Sequence, residues 1–169
     1  MSHRQSKYLR NVTAMIVDSN PFSRRILRTI LHAFGCKSWM ECADAAEALK
    51  ILRHSTPDIL FTELHMAPLN GNELIQFIRK DENPSIHFMP VIVVSAYSEI
   101  YRVVEARDCG ANEFLIKPYS AASLLGRIRE VIERPRPFVR LPSYFGPDRR
   151  RRSSPTPRGV RRRSTDLKD

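Results

Sequence analysis

Short apolar runs rich in β-branched residues alternate five times with longer runs whose apolar positions recur every three or four residues. The short runs are residues 12–17, 59–62, 90–94 and 114–116, with a weaker one at 37–41. The longer runs carry helix-start chemistry. Phe22, Ile26, Ile30 and Leu31 follow Asn20-Pro21, an N-cap and first-turn pair. Ala45, Ala48, Leu49 and Leu52 follow Asp44, with Glu47 placed to complete a capping box. Leu74, Phe77 and Ile78 follow Asn70; Ile100, Val103 and Val104 follow Ser98; Leu124, Leu125, Ile128 and Ile132 follow Ser120, and Pro135 stops the last helix. Five such βα units predict an α/β fold, a doubly wound five-stranded parallel sheet with helices on both faces. Function in such sheets gathers at the carboxyl ends of the strands. Asp18-Ser19, Glu63, Ser95-Ala96 and Lys117-Pro118 stand there.

Charge divides the 169-residue chain. Residues 134–169 hold 12 Lys/Arg against 3 Asp/Glu, whereas residues 1–133 hold 16 against 15, so nearly all of the formal +10 belongs to the C-terminal segment. Six of the twelve prolines fall there too. This predicts three parts: an N-terminal extension over 1–11, a compact domain over 12–133, and an arginine/proline-rich tail over 134–169. Like charges and prolines oppose a packed core, so the tail is expected to be disordered or ordered only by a ligand. Phe138, Val139, Leu141, Tyr144 and Phe145 are the exceptions, enough to dock part of it on the domain or a partner.

The remaining signals are modest. Cys36, Cys42 and Cys109 are odd in number and lack metal spacing, as free thiols in a reducing compartment would. No apolar run reaches the roughly 20 residues of a membrane span, and residues 1–11 lack the apolar core of a signal peptide, so the expectation is a cytoplasmic protein with no membrane insertion. His65 and His87 read as solvated loop histidines, Trp39 as a packing residue, and Arg24, Arg25 and Arg28 as an exposed helix face. No nucleophile–base pair or metal cluster stands out, so no enzyme, resident metal or cofactor is expected.

At the strand ends the chain resembles the CheY-like receiver domain of two-component response regulators, a flavodoxin-like fold. The resemblance covers residues 12–133 and rests on "MIVDSNPFSRRILRTIL", "PDILFTELHMAPLNGNELIQFIR", "PVIVVSA" and "GANEFLIKPYS". It implies a phosphorylation pocket, in which Asp18 is one Mg²⁺-binding acid, Ser95 the hydroxyl, Lys117 the phosphate-neutralising lysine and Phe114 the aromatic switch residue. Two departures fall on the chemistry: Glu63 stands where the family has its acceptor aspartate, and Ser19 stands at the second metal acid. The following loop reads Met66-Ala67-Pro68 in place of the family's Met-Pro. Glu63 is one methylene too long, and a displacement of about 1 Å at a nucleophile can cost about 10²-fold in rate. Ser19 removes a hard, charged ligand from Mg²⁺. Phosphorylation is therefore not expected. Two roles are open to Glu63: a structural ion pair with Lys117, or mimicry of the phosphorylated aspartate by reaching towards Ser95 and Lys117.

The tail carries seven arginines in two runs, Arg149-Arg150-Arg151-Arg152 and Arg161-Arg162-Arg163. Arg150 to Ser154 is echoed eleven residues on by Arg161 to Thr165, with Asp148 and Asp166 nearby. No lysine interrupts them, although a point charge would suffice for a merely electrostatic contact. Arginine forks match guanine O6/N7 and phosphate oxygens, and a carboxylate can accept from guanine N1–H and N2–H₂. Two such units fit a ligand with two guanines and two phosphates, cyclic di-GMP (c-di-GMP). The tail resembles the arginine-rich extension of the Cle family, CheY-like proteins that bind c-di-GMP and act at the flagellar motor. That resemblance implies nucleotide contacts from Tyr144, Asp148, Arg149, Arg150, Arg151 and Arg152, with Arg161, Arg162, Arg163 and Asp166 as a second set. The function expected is a c-di-GMP effector that docks on a protein target, the flagellar motor switch by resemblance. A conventional phosphorelay response regulator, and a receiver with a nucleic-acid-binding tail, are the alternatives.

Overall fold

The computed structural model describes residues 8–150; residues 1–7 and 151–169, which include Arg151, Arg152, Arg161, Arg162, Arg163 and Asp166, lie outside the described residues. Five strands, β1 (Thr13–Val17), β2 (Ser38–Cys42), β3 (Ile59–Thr62), β4 (Val91–Ser95) and β5 (Glu113–Ile116), pair in parallel in the order β2-β1-β3-β4-β5. This is the doubly wound sheet expected from the alternating runs. Helices α1 (Pro21–Ala33), α2 (Ala45–Leu52), α3 (Gly71–Lys80), α5 (Ile100–Cys109) and α6 (Ala121–Glu133) follow the five strands in turn, and a four-residue turn, α4 (Pro84–His87), precedes β4.

Each strand divides its side chains between two cores, because successive residues point to opposite faces. Met15, Val17, Leu60, Val91 and Val93 meet α2, α3 and α5 through Ala48, Leu74, Ile78 and Ala106. Ala14, Ile16, Phe61, Ile92, Val94 and Leu115 meet α1 and α6 through Leu27, Leu31, Leu124 and Ile128. The anticipated caps at Asn20, Asp44, Asn70 and Ser120 form, but Glu47 accepts from the Ala43 N–H, one residue before the cap. The helix expected after Ser98 begins one residue later, with Glu99 at its cap position.

Both presumed appendages contribute to the packed structure. Leu9 is buried beside Phe34, its N–H bonded to the Phe34 carbonyl, and the Tyr8 hydroxyl donates to Glu133. At the other end, residues counted with the disordered or ligand-ordered tail form an antiparallel hairpin of β6 (Phe138–Leu141) and β7 (Tyr144–Pro147). The hairpin has little apolar area of its own and borrows from the domain. Phe145 stacks on His87 at 3.9 Å, Phe138 meets Phe88 edge-on at 5.1 Å, and Gly146 lies so close to Gly110 that a Cβ would sit 2.9 Å from the Gly110 Cα. Gly110 itself has φ +108, a conformation that favours glycine. His87 is thus the hairpin's seat and not a solvated loop residue.

Beneath Phe138 lies Arg79, 4% exposed, its guanidinium carbon 5.0 Å from the ring centre. It donates to the carbonyls of Gly110, His87 and Met89 and to the Asn112 side-chain oxygen. Burial drives its pKa down to about 10. Arg136 adds a second tie, donating to the Asp148 and Asn112 carbonyls. These attachments lie at the amino ends of β4 and β5, the end of the sheet opposite Asp18, Glu63 and Lys117.

Candidate functional site

The carboxyl ends of β1, β3, β4 and β5 bring together Asp18, Glu63, Ser95 and Lys117, as the strand-end argument anticipated. Lys117 is the centre. Its Nζ donates to Asp18 Oδ2 at 2.7 Å and Glu63 Oε2 at 3.0 Å, and lies 3.4 Å from the Ser23 hydroxyl. The other Asp18 oxygen accepts from the Asn20 N–H, and the other Glu63 oxygen from the Leu64 N–H at 2.6 Å. Asp18 and Glu63 are each 7% exposed, and Ser95 is fully buried.

The added methylene of Glu63 lets its carboxylate curl back onto its own loop while still reaching the lysine. Gly71 makes room for that loop: a Cβ there would collide with the Glu63 carbonyl and come within 2.9 Å of the Leu64 Cα. Burial pushes the Glu63 pKa up, but the Ser95 hydroxyl, the Lys117 ammonium and the Leu64 N–H outweigh it, and the net shift is downward. Lys117 is displaced upward: burial lowers it, and its two carboxylates more than compensate. The cluster is a largely buried carboxylate–ammonium–carboxylate bridge in which the Glu63–Lys117 pairing favours the charged form of each partner.

Both roles open to Glu63 share this pairing with Lys117, and the bridge uses the groups that phosphoryl chemistry would need. The cavity left among Asp18, Ser23, Glu63 and Lys117 is about 10 Å³, the space of a single water. Ser19 is exposed and offers a neutral hydroxyl. The donors present do not fit the Mg²⁺ that the fold family implies, since both carboxylates are committed to the lysine. Among the described residues no group of three His, Cys, Asp or Glu side chains could hold a metal ion.

Phe114 lies partly buried on β5 and packs against the α2/α3/α5 core. His65 is exposed and rests on the Tyr97 ring at 4.6 Å, with Arg102 over the same ring at 4.8 Å. Trp39 packs as expected, but Arg24 and Arg28 are not free on the α1 face, because both pair with Glu41.

The described part of the proposed nucleotide set gathers where the hairpin ends. Tyr144 is buried; its hydroxyl donates to the Pro147 carbonyl and its ring is covered by the Arg149 guanidinium at 4.0 Å. Arg149 also reaches Asp108 on α5 at 3.4 Å. Asp148 accepts from the Arg150 N–H, and Arg150 is exposed. Tyr144 is therefore a wall of the hairpin. Arg79 and Arg136, which anchor the hairpin, carry no motif that would have marked them. Arg79 occurs as one more polar residue at the end of an amphipathic helix, and Arg136 sits between prolines.

A five-stranded 2-1-3-4-5 parallel sheet with an acidic residue, a hydroxyl and a lysine at its strand ends is the receiver architecture, and the comparisons agree. The family model for the response regulator receiver domain matches residues 14–129, and the chain belongs to that family. It is 30% identical over 125 residues to chemotaxis protein CheY-3 of Vibrio cholerae, covering 74% of this chain and 95% of that protein. With chemotaxis protein CheY of Pseudomonas aeruginosa it shares 31% over 120 residues, covering 71% and 95%. Among solved structures, the receiver domain of the histidine kinase CKI1 from Arabidopsis thaliana, complexed with Mg²⁺ and BeF₃⁻, superposes with a TM-score of 0.68 at 26% identity, covering 75% of this chain and 93% of that one. No helix among the described residues is long and apolar enough to cross a membrane.

Proposed function

We propose that this receiver is a phosphorylation-independent, non-enzymatic effector whose input is c-di-GMP bound by the arginine tail. Its output is docking on a protein target, the flagellar motor switch by resemblance. The observation that carries the reading is the occupied Lys117. Asp18 and Glu63 both hold that ammonium, Glu63 stands where the family has its acceptor aspartate, and Ser19 stands at the second metal acid. The input then has to come from elsewhere in the chain. Arg149 and Arg150 emerge from a hairpin fixed to the domain, and Arg151 and Arg152 follow directly. On the α5–β5 side, Ile100, Tyr101, Val104 and Ile116 are exposed, at 82% for Ile100; clustered apolar side chains in water favour a protein contact.

Calorimetric titration of the full chain with c-di-GMP, GTP and a short DNA duplex tests the input. The expected result is tight binding to c-di-GMP alone. Replacing Arg149, Arg150, Arg151 and Arg152 together by lysine keeps the charge and removes the forks. Losing two bidentate pairs at about 1–3 kcal/mol each weakens binding roughly 25-fold to 10⁴-fold. Asp148→Asn should also weaken it, although it adds net positive charge. Equal affinity for DNA, with a steep salt dependence and no loss in the lysine variant, would replace this reading with a cationic nucleic-acid tail.

A further inference from the structure

The hairpin brings a cationic groove into being on the receiver. Between α5, β5 and the hairpin stem lies a cavity of about 350 Å³ lined by Val103, Arg107, Phe114, Arg136 and Arg149, together with the chain from Ala111 to Glu113. Its volume is within the ~300–1,000 Å³ of small-molecule sites. Three guanidinium groups converge here from three different segments. Arg107 comes from α5, Arg136 from the lead into β6, and Arg149 from the first position of the arginine run.

The anions at this groove do not balance those cations. Asp108 Oδ1 serves both Arg107, at 3.1 Å, and Arg149, at 3.4 Å. Glu113 serves both Arg136, at 3.5 Å, and Arg127, at 3.0 Å. Among the described residues, the three arginines lining the cavity form ion pairs with two carboxylates, one of which Arg127 also shares, which leaves positive charge in excess on a partly exposed surface. Val103 and Phe114, both partly exposed, supply an apolar flank to the same cavity. Paired guanidinium groups with spare N–H donors suit phosphodiester oxygens, and an aromatic and aliphatic wall suits the face of a purine.

We propose that this groove is the receiver's own seat for the ligand of the arginine tail. One half of the cyclic dinucleotide sits in it, with a phosphodiester against Arg107, Arg136 and Arg149 and a base against Val103 and Phe114. The inference rests on the c-di-GMP reading and deepens it, since it adds residues of the domain to a site otherwise confined to the tail. It also places the nucleotide beside the aromatic switch position, on the side of the molecule that carries the exposed apolar residues of α5. Ligand and protein target would then meet on one face without involving the Asp18–Lys117–Glu63 bridge.

The test is calorimetric titration of the full chain with c-di-GMP, comparing wild type, Arg107→Gln and Arg25→Gln. Val103 methyl and Phe114 ring NMR signals are followed in wild type. Arg25 is exposed on α1, which covers the other face of the sheet. The expected result is a loss of at least about tenfold in Arg107→Gln, the size of one charge-assisted hydrogen bond. Arg25→Gln should stay within about twofold of wild type, and both sets of signals should shift with ligand. Unchanged affinity in Arg107→Gln, an equal loss in Arg25→Gln, or Val103 and Phe114 signals unmoved at saturation would each overturn the groove while leaving the tail as the c-di-GMP site. Wild-type protein that fails to bind c-di-GMP at all would sink both.

Discussion

Lys117 holds two carboxylates at once, Asp18 and Glu63. A side chain one methylene longer than aspartate still reaches the lysine, and the cavity left beside the pair is about 10 Å³. Lys117→Met would leave two largely buried carboxylates facing one another. The expected cost is about 3 kcal/mol, the lower end for breaking a buried pair by removing one partner, read from urea denaturation. The bridge also sets a pH window. Glu63 is shifted below its ordinary 4.5, so its contribution is full above that value and is lost as pH falls through the folded-state pKa. Lys117 is shifted above its ordinary 10.5, so its contribution is full below that value and disappears as pH rises through the folded-state pKa. The bridge's own contribution, read as the difference between the melts of wild type and Lys117→Met, should therefore be level between about pH 5 and 10. Glu63→Gln should remove the acid-side part of the slope assigned to this group; an unchanged acid limb would show that the carboxylate is not coupled to folding. The identities of Asp18, Glu63, Ser95 and Lys117 were legible in the sequence, because each terminates a recognisable strand. That Glu63 would also accept from its own loop was not, since a side-chain torsion is set by the walls around it.

At the level of elements, the hairpin is the main departure from the expected organisation. Pro135, Pro137 and the arginines argue against a core, and the short strands β6 and β7 do not make one of their own. They succeed because α3, α4 and α5 end in a surface of Phe88, His87, Gly110 and the buried Arg79 that needs covering. Phe138→Ala should uncover Arg79 and weaken docking by about 2 kcal/mol, below the ~3–5 of a fully buried Phe because Phe138 is only partly buried. Amide exchange in residues 138–147 should accelerate more than in β1 or β3. Uniform acceleration would mean that the hairpin and sheet unfold as one unit. A Gly146→Ala substitution should do similar harm, since its Cβ would press on the Tyr144 ring and on Gly110. Helix boundaries, by contrast, were readable to within a residue wherever a capping side chain was present. The start of α5 slipped by one because Glu99 makes no side-chain cap bond.

Across the whole molecule, the receiver pocket and the hairpin occupy opposite ends of the same parallel sheet, separated by the length of β4, five residues or about 16 Å at ~3.3 Å each. They share no side chain. If the nucleotide binds at the tail, Lys117→Met should leave its affinity within about twofold, because distant sites without common partners act independently. A larger change in titration would reveal coupling through the sheet. Truncation after Glu133 should lower the melting temperature of the receiver, as it strips the cover from Arg79 and Phe88. The alternating runs alone pointed to a parallel sheet of five strands covered by helices on both faces and to the residues at its carboxyl ends, because backbone hydrogen bonding and two-sided burial leave such a pattern few other solutions. The charge asymmetry likewise marked the C-terminal segment as distinct. Only the tertiary structure decided that Glu63 and Asp18 share one ammonium, that half of the basic segment folds against the domain, and that Arg107, Arg136 and Arg149 face one groove. Those outcomes depend on contacts between residues far apart in the chain, where the deciding quantities are the shape and charge of the surface a segment meets, and local pattern carries no record of either.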